Sequence, residues 1–286
     1  MIYWEKKREL SRDREENMTR NRTQLKVILA ALFVTAALVG LLAAGWLRRP
    51  GAEPAAPTEL TEETTLPAEE ITEATDPPGP TEPDLTGIPD SLLELMEKNP
   101  ETVDFVLNYP HRVEQTVDIS GLSREEVPLF IQWDQRWGYH IYGTDVLALT
   151  GCGPTSMAMV GYYLTGDERF TPDQMAEFCL ENDYYAWGKG TTWTLFSQGV
   201  KKLGLKSEEL PLFEPTMISH LEKGHPVVIS VGPGDFTERG HFIVAVGYEE
   251  GMFRINDPNS VIRSEMLWSY DTLAPQIRNL WAVWKA

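Results

Sequence analysis

The chain has 286 residues, enough for one domain of ordinary size plus non-globular parts. Hydrophobic residues make up 42% and aromatics 10%, so a substantial core can form somewhere along it. The formal net charge of -18 leaves no basic footprint for nucleic acid, and two cysteines, Cys152 and Cys179, are too few for a disulfide scaffold.

The charge is unevenly spread. Residues 1–49 carry ten Lys/Arg against five Asp/Glu, residues 50–86 carry ten acids and no base, and the remainder carries 28 acids against 15 bases. The uncharged run 27–46, VILAALFVTAALVGLLAAGW, has the ~20 residues that span a hydrocarbon core of ~30 Å. It predicts a single-pass transmembrane helix. The larger basic excess on its N-terminal side makes 1–26 a cytoplasmic tail and puts the rest of the chain outside a bacterial cell. The alternative is a cleaved signal peptide, with Ala43 and Gly45 before the cut and a secreted product. Residues 47–86, dense in Asp/Glu, Pro and Thr, cannot bury enough apolar surface to offset ordering and predict a disordered stalk.

From 87 to 286 the pattern is globular. Asp90 or Ser91 caps a helix whose Leu92, Leu93, Leu95 and Met96 form a stripe, and Pro100 opens a second short helix, giving a helical extension over 88–109. Val127-Pro128-Leu129-Phe130-Ile131 reads as an edge strand or extended arm. After a Gly-containing turn, Cys152 begins a helix that runs to about Leu164 and ends at Gly166. Thr171-Pro172-Asp173-Gln174 reads as a capping box for the next helix, on which Met175, Phe178 and Cys179 share a face. Cys179 is therefore a buried small hydrophobe. A third helix is predicted over 192–203 and a short fourth over 217–222. The period then changes to two. Strands are predicted over 226–231, 242–248, 252–256 and 280–284. Helices first and a mostly antiparallel sheet second predict an α+β fold.

Cys152 sits between Gly151 and Gly153 at the mouth of a helix. Unpaired N–H groups and the helix dipole there favour a thiolate, and the glycines leave room for a substrate backbone. Of five histidines only His241 has a rigid address, at the very start of a strand; it is the candidate base. Its orienting partner depends on the following hairpin. A hairpin centred on Glu249 sets His241 opposite Asp257. One centred on Glu250 sets it opposite Asn259 with Asp257 as the diagonal neighbour. One centred between them sets it opposite Pro258 and brings Asn256 to that face. Spacing alone leaves Asp257 and Asn256 both open. Gln132, twenty residues before Cys152, is a candidate oxyanion donor. A metal site is not expected, because His220 and His225 are five apart and do not form the i, i+4 pair of a zinc helix. Gly188-Lys189-Gly190 lacks the rest of a phosphate loop and reads as a rim of the cleft.

The runs VPLFIQWDQRW, GCGPTSMAMV, GHFIVAVGY and INDP resemble those of the bacteriocin-processing cysteine peptidases and their stand-alone relatives, in the papain-like superfamily. The cover runs from about Val127 to the C-terminus. The resemblance implies a papain-like fold, with Cys152 as nucleophile, His241 as base, Asp257 as its orienter and Gln132 in the oxyanion hole. Established members are fused to an export transporter and act in the cytoplasm on leader peptides ending in Gly-Gly, unlike the exported domain expected here. The expected function is a membrane-anchored extracytoplasmic cysteine peptidase, monomeric and without a cofactor, acting on a peptide or protein. The alternatives are a peptidoglycan amidase or endopeptidase acting on cell-wall peptide, a non-catalytic surface binding domain, and an acyl transferase.

Overall fold

The computed structural model describes residues 83–113 and 115–286. The expected tail 1–26, transmembrane helix 27–46 and nearly all of the stalk 47–86 lie outside them. No helix among the described residues is long and apolar enough to cross a membrane. The longest, 14 residues, rises about 21 Å, short of the ~30 Å core. The described fold thus contains no transmembrane helix, contrary to expectation. The membrane as a partner, the single-pass topology and the extracytoplasmic location expected from the sequence lose their structural basis with it. One compact unit spans Leu85–Ala286.

In chain order the elements begin with α1 (Asp90–Lys98), a 3-10 turn (Pro100–Thr102), α2 (Val103–Leu107) and a second 3-10 turn (Tyr109–His111). A small hairpin, β1 (Ile141–Tyr142) and β2 (Asp145–Val146), leads to α3 (Leu147–Thr150), α4 (Cys152–Thr165) and α5 (Pro172–Glu181). The hairpin β3 (Tyr185–Ala186) and β4 (Gly190–Thr191) precedes a π-helical turn (Leu195–Gly199), α6 (Val200–Lys202), β5 (Leu205–Glu209) and α7 (Glu214–Leu221). Then come β6 (Val227–Val231), β7 (His241–Glu249), β8 (Met252–Asn256), α8 (Val261–Glu265), β9 (Leu267–Trp268), α9 (Tyr270–Leu273), a 3-10 turn (Ala274–Gln276) and β10 (Ile277–Lys285).

Six strands form one antiparallel sheet in the order β5-β10-β6-β7-β8-β9. Side chains alternate across it, and both faces are covered. Val228, Phe242, Val244, Trp281 and Val283 pack with Met157, Val160 and Cys179 of α4 and α5. Val227, Ile229, Ile243, Ala245 and Leu280 pack with Met217 of α7 and Leu273 of α9 on the other face. Burial on both sides explains the unbroken apolar run Val227-Val228-Ile229. The α+β class thus stands, with helices on a fully antiparallel sheet.

Several local expectations changed. The segment 127–131 joins no strand, so of the two readings the edge strand falls. Thr171 precedes α5 without a side-chain capping bond, and its hydroxyl is buried without a partner, so the capping box does not form. The predicted helix over 192–203 is a π-helical turn plus one short helical turn. Strand β5 was not anticipated. Its residues Lys206, Glu208 and Glu209 are exposed at the sheet edge, so the sequence there lacks the apolar alternation of a half-buried strand.

Candidate active site

Cys152 is the first residue of α4, half-buried, with a free thiol. The glycines beside it have a different use from the one expected. A Cβ on Gly153 would lie 2.4 Å from the Thr191 hydroxyl, so this glycine lets β4 approach the helix mouth and does not open space for substrate. Tyr142 holds that threonine through a 2.8 Å bond between the hydroxyls. Cys179 is buried on α5, and desolvation pushes its thiol up to about 12 despite a hydrogen bond with Tyr142 that acts the other way.

His241 opens β7 and is 8% exposed. Its Nε2–H donates to Asp257 Oδ1 at 2.7 Å. Burial disfavours the charged ring. The charge and hydrogen bond of Asp257, followed by the interaction with Cys152, outweigh burial and raise the imidazole well above its ordinary value. Asp257 is fully buried. Burial would raise its carboxyl, but His241 and then Arg263 hold it below the usual carboxylate range.

A β-bulge brings Asp257 to this position. The β7–β8 hairpin reverses at Glu250 and Gly251, both with positive φ (54° and 79°), the two-residue geometry that suits strand twist. Next to the turn, Glu249 faces Met252, Tyr248 faces Phe253 and Gly247 faces Arg254. That register, continued, would set Val244 opposite Asp257. The register shifts between Ala245 and Gly247, and Val244 instead faces Asn256. Beyond the bulge the hairpin is centred on Glu250, which makes Asp257 the diagonal neighbour of His241. Asn256 lies on the α4 side, where its Nδ2 donates to the carbonyls of Val127 (3.1 Å) and Pro128 (3.2 Å). Gly247 was the signal for this, since an isolated glycine in a strand pattern often marks a bulge.

Gln132 is 4% exposed. Its Nε2 donates to Ala148 O at 2.6 Å, in the short helix just before Cys152, and its backbone N–H donates to Pro258 O at 2.7 Å. Its Oε1 is buried with no partner among the described residues. The other residues of the arm pack and brace. Trp133 Nε1 donates to Asn259 O (3.1 Å), Asp134 pairs with Arg136 and Trp137 Nε1 donates to Ile131 O. A cleft of about 550 Å³ is lined by Arg112, Arg136, Trp137, His140 and Asp173, and by none of the four candidate residues. Among the other histidines, His140 bonds Glu177, while His220 and His225 face one another. No cluster of three or more His, Cys, Asp or Glu side chains able to hold a metal occurs among the described residues.

Residues 124–286, more than half of the chain, match the family described as "Peptidase_C39 like family". The chain belongs to the C39-like peptidase family. This places it among cysteine peptidases of the broader papain-like clan. Two solved structures are similar to the C39-like domain. The peptidase domain of ComA from Streptococcus, a bifunctional ABC transporter involved in quorum sensing, is 19% identical with a TM-score of 0.38, covering 51% of this chain and 96% of that one. A protein described as a C39-like peptidase from Bacillus anthracis is 19% identical with a TM-score of 0.34, covering 60% and 99%. No curated protein matches the chain.

Sequence reasoning missed Arg263. Its Nε donates to Asp257 Oδ2 at 2.6 Å, so the two carboxylate oxygens of the C39-like site are divided between His241 and Arg263. The backbone N–H of Asn259 adds a second bond to Oδ1 at 2.8 Å. Arg263 belongs to α8, whose cap, Ser260, was legible as a serine before Val261-Ile262.

Proposed function

We propose that this C39-like domain is a cysteine peptidase that cleaves a peptide or amide bond through an acyl-enzyme at Cys152. The observation that carries the reading is the buried 2.7 Å bond between His241 and Asp257, with the Cys152 thiol interacting with the same ring. A raised imidazole is a ready acceptor for the proton of the Cys152 thiol. The thiolate attacks the substrate carbonyl carbon, and the carbonyl π electrons move onto oxygen. His241 then gives its proton to the departing amine as the C–N bond breaks, leaving a thioester. Water attacks that thioester, His241 takes a proton from it, and the acid leaves as the thiol is restored. Asp257 holds the ring throughout with its Nε2–H engaged, which leaves Nδ1 for the sulfur. Labelling by a thiol-reactive peptide mimic, followed by turnover of a peptide library, tests the reading. A domain that is neither labelled at Cys152 nor able to cleave any member of the library overturns it.

Gln132 is proposed as the side-chain donor to the tetrahedral oxyanion. One amide hydrogen anchors it to Ala148 O, and the second is available for the developing charge beside the Cys152 N–H. The expected result for Q132A is a fall of about 10²–10³ in both kcat and kcat/KM, because the bond acts mainly in the transition state. Steady-state kinetics checks it, and normal turnover in Q132A removes the residue from the site.

A further inference from the structure

The loop and helix behind Asp257 are held from outside the matched region 124–286. Glu101, in the 3-10 turn after α1, accepts hydrogen bonds from the Ser260 hydroxyl, from Val261 N (2.7 Å) and from Ile262 N (3.2 Å). Its carboxylate thus takes the first two N–H groups of α8, while the Ser260 oxygen takes the third, from Arg263 N at 3.0 Å. Asn99 braces the arrangement from both sides. Its Oδ1 accepts from Glu101 N (3.1 Å) and its Nδ2 donates to Asn259 O (2.7 Å). The extension itself is anchored by the buried Leu92, Leu93, Met96, Phe105 and Val106, and by stacking of Phe105 on Tyr139.

Helix α8 has five residues. A helix so far below ~12 residues has little stability of its own and depends on tertiary contacts for its place. It nevertheless supplies two contacts to Asp257: Arg263 Nε on Oδ2, and the Ser264 hydroxyl, which accepts from Asp257 N at 2.9 Å. The path from Glu101 to α8, to Asp257 and to His241 is continuous. The titratable and charged groups around the pair are Cys152 and Asp257 at His241, Arg263 at Asp257, and Glu101 at the start of α8.

We propose that Glu101 is a positioning residue of the thiol site, so that the helical extension is a working part of the C39-like domain and not external packing. It rests on the thiol–imidazole reading above. Without the carboxylate, α8 loses its cap, Arg263 and Ser264 loosen their hold on Asp257, and the ring of His241 is less firmly placed against Cys152.

The test uses the full chain and reads Cys152 directly, through the pH dependence of its alkylation by iodoacetamide, with thermal melting alongside. E101A and E101Q are expected to move the alkylation profile and slow labelling at neutral pH by about fivefold, what the loss of one helix cap is worth expressed as a rate. E101D, which keeps the charge, recovers part of the rate. L93A removes core packing from the same extension and controls for stability: it lowers the melting temperature but leaves the profile in place. An unchanged profile in E101A overturns the proposal, as does an equal shift in L93A. If Cys152 of the unmutated chain reacts no faster than a thiol in the denatured chain, the thiol–imidazole reading itself fails, and the role of Glu101 falls with it.

Discussion

Replacing Cys152 by alanine is expected to abolish turnover, a loss on the order of 10⁶ in kcat by the scale on which subtilisin responds to loss of its nucleophile. His241 and Asp257 would remain in place with nothing to activate. C179A is the contrasting variant. Cys179 is fully buried between α4, α5 and the sheet, and its thiol, pushed up to about 12, is un-ionised at neutral pH and closed to reagents. Its removal costs ~1 kcal/mol of packing and leaves most of the activity. Alkylation of the folded chain near neutral pH, mapped by mass spectrometry, reads the same difference without a substrate. Preferential labelling of Cys179 would sink the assignment.

Asp257→Ala has the second large effect, on the order of 10⁴ in kcat with little change in substrate binding, the scale on which subtilisin responds to loss of its triad aspartate, because the ring of His241 loses the acceptor that holds its Nε2–H. Asn256→Ala is predicted to act on stability and not on the chemical step. Its amide ties β8 to the carbonyls of Val127 and Pro128, and leaving those carbonyls unpaired costs ~1–3 kcal/mol. Kinetics and melting on the two variants check the pair of predictions, and a collapse of kcat in N256A with normal rates in D257A would refute both. The pH dependence of stability adds a signature. The imidazole of His241 is raised, so its contribution is complete below the ordinary imidazole value of ~6.5 and fades as pH rises through its folded value. The carboxyl of Asp257 is lowered, so its contribution is complete above ~3.9 and fades as pH falls. The stability gap between the unmutated chain and D257A is therefore widest between these values and narrows on both sides.

Much of this could be read from residues. The strand over 252–256 and the helix from Cys152 follow from local patterns: apolar period, a proline in the first helical turn and a glycine stop. The placement of a cysteine at a helix mouth and a histidine at a strand start is likewise a property of a few neighbouring residues. The α+β class follows from the change of period along the chain. The membrane reading shows the limit of composition, since the apolar run that suggested it lies outside the described residues and none of the described helices can span a bilayer.

What the sequence by itself determined were most of the longer elements and the places of Cys152 at a helix mouth and His241 at a strand start, because period, caps and breakers act within one or two turns of the chain. The partner of His241 was decided only in three dimensions. The turn at Glu250-Gly251 and the bulge at Val246 each shift the hairpin by a step too small to see in apolar spacing, yet their sum selects which of Asn256 and Asp257 shares the histidine's face. Arg263 and Glu101 were decided in the same way. One becomes a partner of Asp257 because Ser260 starts a helix that turns it back, and the other because packing of the extension carries it about 160 residues along the chain to that helix. Such contacts leave no periodic trace, since they depend on where folded elements end and not on how any one of them is patterned.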